Sequence, residues 1–320
     1  MSSPESAMAA EIPAAVTGAA GGSDPAQPAD LTVAAQTRSL AADAWYDLRR
    51  NPIFWVAGVI VLAVLTIAIF PGLFTSADPR SCSLLHRFQG PTDGAPFGFD
   101  EQGCNVYSRT IHGARSSIEV GIFSTLLVGL IAFTLGMASG FYGRWVDVLL
   151  SRSLDIIASI PLLLAAIVML KRLSASGGST GVWSVVFTLG VLGWPTVARV
   201  VRSSVISAKQ QDYVLAARML GAGNRRIMLR HILPNAMAPA IVVLTIALGG
   251  FIATEATLSF LGIGLQPPAI SWGGMISSAS AHVRTAPEAL LWPASFLAVT
   301  VLAFIMLGDA IRDAFDPRMR

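Results

Sequence analysis

The chain has 320 residues, of which 53% are hydrophobic and 13% charged, with a mean hydropathy of +0.63 and a formal net charge of +3. This mix excludes an ordinary soluble globular domain and makes the bilayer the natural solvent. The basic residues are spread over loops between apolar stretches, with no stripe of stacking aromatics among them, which argues against nucleic acid as a partner.

Residues 1–40 are Ala, Pro, Gly, Ser and Thr with scattered acids, and lack the short apolar core of a cleavable secretory signal. They are expected to form a disordered cytoplasmic tail. Over 41–52 the pattern turns amphipathic, with Trp45 and Leu48 one turn apart, as suits an interfacial helix. Asn51-Pro52 then opens the first span, since Pro is tolerated in the first turn of a helix.

Six windows within 53–320 have about the length that a bilayer requires: 53–74, 116–142, 148–170, 181–198, 236–259 and 289–308. Backbone polar groups cannot stay unpaired in lipid, so each window is predicted to be a helix and the fold class all-α. The first carries no charge from Ile53 to Phe70. Along the second, Gly129, Gly136, Gly140 and Gly143 space small residues as close helix packing requires. The third holds Arg152, Asp155 and Pro161 and is predicted to be a kinked helix.

With the amino terminus inside, fifteen of the 22 Lys and Arg residues fall on the inner side and seven on the outer, which favours both termini in the cytoplasm. The loop 75–115 is then outside, where its length suits contact with an external partner. It contains both cysteines, Cys82 and Cys104, which there form either a disulfide or two unlinked thiols. No C-x-x-C or H-x-x-x-H spacing appears, so no metal site is expected. In the outer stretch 259–288, glycines and Pro267-Pro268 rule out a straight span and predict a re-entrant or interfacial element.

The inner loop 207–235 reads as two short helices around a Gly221-Ala222-Gly223 turn, with Asn224 able to cap the second and Pro234 ending it. Tyr213, Ala217 and Leu220 share a face, and Ala216 and Ala217 are small enough for another surface to approach closely. An ordinary interfacial connector is the alternative.

In this loop Ala216, Ala217, Gly221, Leu233 and Pro234 resemble the EAA signature of ABC importer permeases, with Leu215 at the position of the signature's Glu. Further ordered segments extend the resemblance over about 45–320: LRRNPIFWVAGVIVL, FGFDEQGCNVYSRTIHGARSSIEVG, GMASGFYGRWVDVLLSRSLDIIASIPLLLAAI, TEATLSFLGIGLQPPAISWGGMI and the terminal LGDAIRDAFDPRMR. Together they are similar to the C-type permease subunits of dipeptide and oligopeptide importers, a group that also contains nickel permeases. Gly103-Cys104-Asn105 stands where such permeases usually carry Gly-Arg-Asp. The resemblance implies a type I ABC permease of about six transmembrane helices in a bacterial inner membrane, working by alternating access. It implies four kinds of partner: a second permease subunit, two ATPase domains, an extracytoplasmic solute-binding protein, and a peptide or, alternatively, nickel or another small solute. Asp212, Tyr213, Ala216, Ala217, Gly221 and Arg225 would then form the coupling contact with an ATPase.

No Walker loop, H-E-x-x-H or G-x-S-x-G occurs, so the chain is not expected to be an enzyme or to hold a cofactor; ATP and Mg belong to the partner ATPases. An ion-coupled transporter would show inverted repeats and mid-span charges, and neither is evident. Ionisable residues within spans are candidates for function, and Glu255 is the one expected to attract a peptide amino group, with interfacial solvation as the alternative. Trp194, beside Pro195, is a candidate gate or a headgroup anchor.

Overall fold

A computed structural model describes residues 45–175 and 181–315; the tail expected over 1–40 lies outside them. Residues 45–48 make one helical turn, after which Asn51 caps α1 (Pro52–Ile69) by accepting the Ile53 amide at 2.9 Å. The remaining helices are α2 (Val106–Tyr142), α3 (Arg144–Ala158), α4 (Leu162–Ala175), α5 (Val182–Lys209), α6 (Asp212–Met219), α7 (Asn224–Phe260), α8 (Trp272–Ser280) and α9 (Glu288–Phe315). Among the described residues five helices, α1, α2, α5, α7 and α9, are long and apolar enough to cross a membrane; α3 with α4 makes a sixth if the bent pair is one span.

Several helix boundaries differ from expectation. Helix α2 begins at Val106, ten residues before the predicted span, because Asn105 caps it by accepting the Ser108 amide at 3.1 Å. Its 37 residues extend for about 55 Å at the standard helical rise, well beyond the hydrocarbon thickness. The third window is not one kinked helix: α3 and α4 meet at 86°. Ile160 precedes Pro161 and is pushed away from helical backbone geometry, so the chain turns there. Pro234, in contrast, ends nothing. Over Ile227–Ile232 the ladder widens to i→i−5 spacing, with the Leu233 amide bonded to the Met228 carbonyl, and this wider turn accommodates the amide proton that Pro234 lacks. Gly223, not Asn224, occupies the cap position before α7.

The main core lies among α2, α5 and α7. Glycines stand on α2 at its closest approach to α5: a methyl group at Gly136 would stand 2.9 Å from the Ala198 carbonyl oxygen, and one at Gly140 would stand 2.9 Å from that of Arg202. The two backbones are therefore in near contact, as small residues permit in lipid. A second core joins α1, α2 and α9 around Phe304 and the fully buried Trp272. At the opposite end of the bundle Leu48 packs against Ala314, Phe54 and Ile311, while Trp45 stays exposed. The turn at 45–48 is thus held to α9 through Leu48.

Candidate functional site

Only Gln210 and Gln211 separate α5 from the short helix α6. Val214 and Ala217 of α6 are buried against the bundle, whereas Met219 and Leu220 are 89% and 88% exposed and Leu215 is 49% exposed. Of the residues expected to meet a partner, Asp212, Tyr213, Ala216, Gly221 and Arg225 are exposed. Ala217, expected with them, is instead buried within the chain, because Val214 and Ala217 are three residues apart and form the helix's buried stripe. The Tyr213 hydroxyl accepts the Asn235 side-chain amide at 3.0 Å and so ties α6 to α7. Helix α6 ends in a Schellman turn, with the Ala222 amide on the Ala217 carbonyl and the Gly221 amide on the Arg218 carbonyl, both at 3.0 Å. Gly221 supplies the positive φ of 81° that this turn requires.

Beside this loop, α5 is fastened to the α2–α3 corner. The Lys209 ammonium donates to the Phe141 carbonyl at 2.6 Å. Arg202 grips Asp147 with two hydrogen bonds of 2.5 and 2.7 Å, and the Ser139 hydroxyl donates to the same carboxylate. One helical turn earlier on α5, Arg199 makes a single 3.4 Å contact with Asp155 near the end of α3. Arg152 and Asp155 stand one turn apart on α3, yet Asp155 and Asp147 both take their cations from α5, a pairing across helices that local spacing does not show.

A cleft of about 420 Å³ opens where α3 breaks into α4. Its walls come from the break itself (Ile157–Leu162), from Leu192–Val197 of α5 and from Val243–Thr254 of α7. Thr196 and Thr254 are its polar side chains, and no charged group lines it. Neither residue expected in the substrate path faces this cleft. Trp194 is 6% exposed and belongs to the α2/α5/α7 core, since one helical step turns it away from Gly193 and Pro195. Glu255 is fully buried. Its Oε1 accepts the Ser259 hydroxyl at 2.7 Å, while Oε2 makes no direct hydrogen bond of ordinary geometry, with Ser117 and Ser271 nearby. In this chain Glu255 joins α2, α7 and the segment before α8 and presents no surface to a solute.

At the other end, Cys82 and Cys104 are disulfide-bonded. Asp100 organises the loop beside them, accepting the Gln102 and Cys104 amides at 2.9 Å through Oδ1 and Arg109 at 2.7 Å through Oδ2. This loop and the segment before α8 enclose a second cleft of about 440 Å³, whose lining includes Arg80, Asp100, Arg109, Gln266 and Ser271. Among the described residues, no three His, Cys, Asp or Glu side chains come together as metal ligands.

Comparison with known proteins gives this architecture its context. Residues 132–320 match the binding-protein-dependent transport system inner membrane component family, and 39–91 match the N-terminal TM domain of oligopeptide transport permease C. The chain is 37% identical to the dipeptide transport system permease protein DppC of Alkalihalophilus pseudofirmus, over 87% of this chain and 90% of the relative. It is 35% identical to the oligopeptide transport system permease protein OppC of Bacillus subtilis, over 90% and 93%. It is also 34% identical to the glutathione transport system permease protein GsiD of Pectobacterium atrosepticum, over 86% and 90%. In fold it is similar to a chain of the MetNI methionine ABC transporter in an inward-facing conformation, with a TM-score of 0.51 and 20% identity, over 64% of this chain and 96% of that one. The chain therefore belongs to the family of inner membrane components of binding-protein-dependent transport systems, as an all-α, multi-pass permease of the type I ABC importer fold.

Proposed function

We propose that this chain forms one half of the translocation pathway of an ATP-driven peptide importer that works by alternating access. The observation that carries this reading is α6, a short helix at whose end Met219 and Leu220 are almost wholly exposed among the described residues. An apolar tip on a turn fixed by its own hydrogen bonds suits a groove in another protein. That protein is an ATPase in this reading, because the sequence holds no phosphate-binding loop of its own. ATP and Mg are held by two such ATPase domains, while a second permease subunit completes the pathway and an extracytoplasmic binding protein delivers the solute. Peptides as substrate rest on the relatives named for dipeptide, oligopeptide and glutathione transport.

The disulfide supports an orientation with the 70–105 loop outside the cell, since such bonds persist in oxidising compartments. Both termini and α6 then lie in the cytoplasm. ATP binding draws the ATPases together, α6 moves with them, and the helices shift between inward-open and outward-open states whose balance the partners set.

The test is uptake of a labelled tetrapeptide by cells carrying the native chain or Gly221→Pro, with surface expression measured in both. Pro cannot adopt the positive φ found at Gly221, so the turn and the aim of α6 are lost. Uptake should disappear at normal expression; undiminished uptake would refute the coupling role of α6.

A further inference from the structure

Helix α3 has almost no core of its own: Leu154 is its one buried residue. It is held instead by polar contacts of unequal strength at its two ends. At the start, Asp147 receives Arg202 in a bidentate grip, with the Ser139 hydroxyl as a third donor, and both charged side chains are largely enclosed, at 23% exposure for Asp147 and 32% for Arg202. Gly143 alone connects α3 to α2, so this end cannot travel far. Near the finish, Asp155 meets Arg199 through one 3.4 Å contact, with side-chain exposures of 62% and 52%. A bidentate, multiply donated carboxylate is a lasting contact, whereas an exposed pair joined by one long contact is among the weakest in proteins.

The weak pair does not itself line the 420 Å³ cleft but is carried on the two helix segments that border it. Asp155 lies two residues before Ile157, and Arg199 one turn after Thr196, both of which line it. Both cations are carried on α5, which continues through two residues into α6.

Building on the proposed importer role, we propose that α3 is a lever that swings about the fixed Asp147–Arg202 pivot, and that making and breaking the Asp155–Arg199 clasp gates the cleft in step with α6. When α6 is displaced, α5 carries Arg199 with it. The clasp yields before the pivot does, and the α3–α4 break moves relative to α5 and α7, which changes access to the cleft. Asp155 and Arg199 are positioning residues in this scheme and do not touch the solute.

The experiment uses the complete transporter with its partner subunits, reconstituted in vesicles, reading labelled tetrapeptide uptake, ATP hydrolysis and thermal stability for each variant. Asp155→Asn should leave the melting temperature unchanged and lower peptide imported per ATP hydrolysed by about threefold, a change in line with the strength of one exposed ion pair. The exchange Asp155→Arg with Arg199→Asp should restore that ratio. A ratio unchanged in Asp155→Asn, or one that the exchange fails to restore, overturns the clasp. A fall in melting temperature that accounts for the lost uptake assigns Asp155 a purely structural role and also overturns it. Absence of peptide uptake by the native complex would strike instead at the importer reading itself.

Discussion

The indole N–H of Trp272 donates to the carbonyl of Thr110 at 2.9 Å, across 162 positions of sequence, and its backbone amide reaches the Ser117 hydroxyl at 3.4 Å. Trp272 has no exposed surface and sits between α2 and α9 in the second core. It fixes α8 against the start of α2.

Truncation at this site should be severe. Trp272→Ala removes a large buried side chain and should cost about 3–5 kcal/mol, whereas Trp272→Phe keeps much of the volume and loses mainly the indole hydrogen bond, about 1 kcal/mol. Melting temperatures of the purified protein in detergent should follow the order native, Phe, Ala.

The contact between α2 and α5 predicts a contrast between glycines. At Gly140 a side chain meets Val205 and the Arg202 carbonyl, while at Gly58 on α1 nothing lies within 4 Å. Gly140→Leu should therefore separate the helices and destabilise by about 1–3 kcal/mol or more, and Gly58→Leu should change little. The yield of monodisperse protein, set beside the melting curve, measures both.

Closing the 22-residue separation between Cys82 and Cys104 restricts the unfolded chain by about 3 kcal/mol in the loop-entropy treatment. The double substitution Cys82→Ser with Cys104→Ser should lower the melting temperature, and reductant should lower that of the native protein but not of the variant. In the native protein a thiol-reactive label should attach only after reduction.

Glu255→Gln should leave peptide uptake close to native, since the carboxylate faces serines inside the chain and not the cleft. Gln keeps an oxygen that can accept the Ser259 hydroxyl. Glu255→Ala leaves that hydroxyl without its partner in a buried setting and should destabilise the protein by about 1–3 kcal/mol. Marked loss of uptake by the Gln variant at normal stability would return Glu255 to the substrate path.

The helical spans were legible because each is governed by its own composition. A charge-free run such as Ile53–Phe70 has one low-energy form in lipid whatever surrounds it. The Gly221 turn was legible for a similar reason, since a positive φ is a local demand that glycine meets. Proline was less informative. Pro161 stands at an 86° break, while Pro234, Pro195 and Pro293 lie within continuous helices. Neighbouring packing and a widened turn decide whether the missing amide breaks a helix, and neither is written next to the proline.

By itself, the sequence determined the helical class, the approximate spans and the Gly221 turn between two helices. Tertiary structure decided the partners of the charges and the facing of each side chain. Asp155 stands three residues from Arg152 but pairs with Arg199. Ala216 and Ala217 are adjacent, yet the first is exposed and the second buried, and Glu255 lies one residue from the cleft-lining Thr254 yet is enclosed. Helix formation depends on hydrogen bonds a few residues apart, so local sequence specifies it. Facing depends on which helix is packed alongside, and a step of one residue rotates a side chain by about 100°, enough to move it from surface to core.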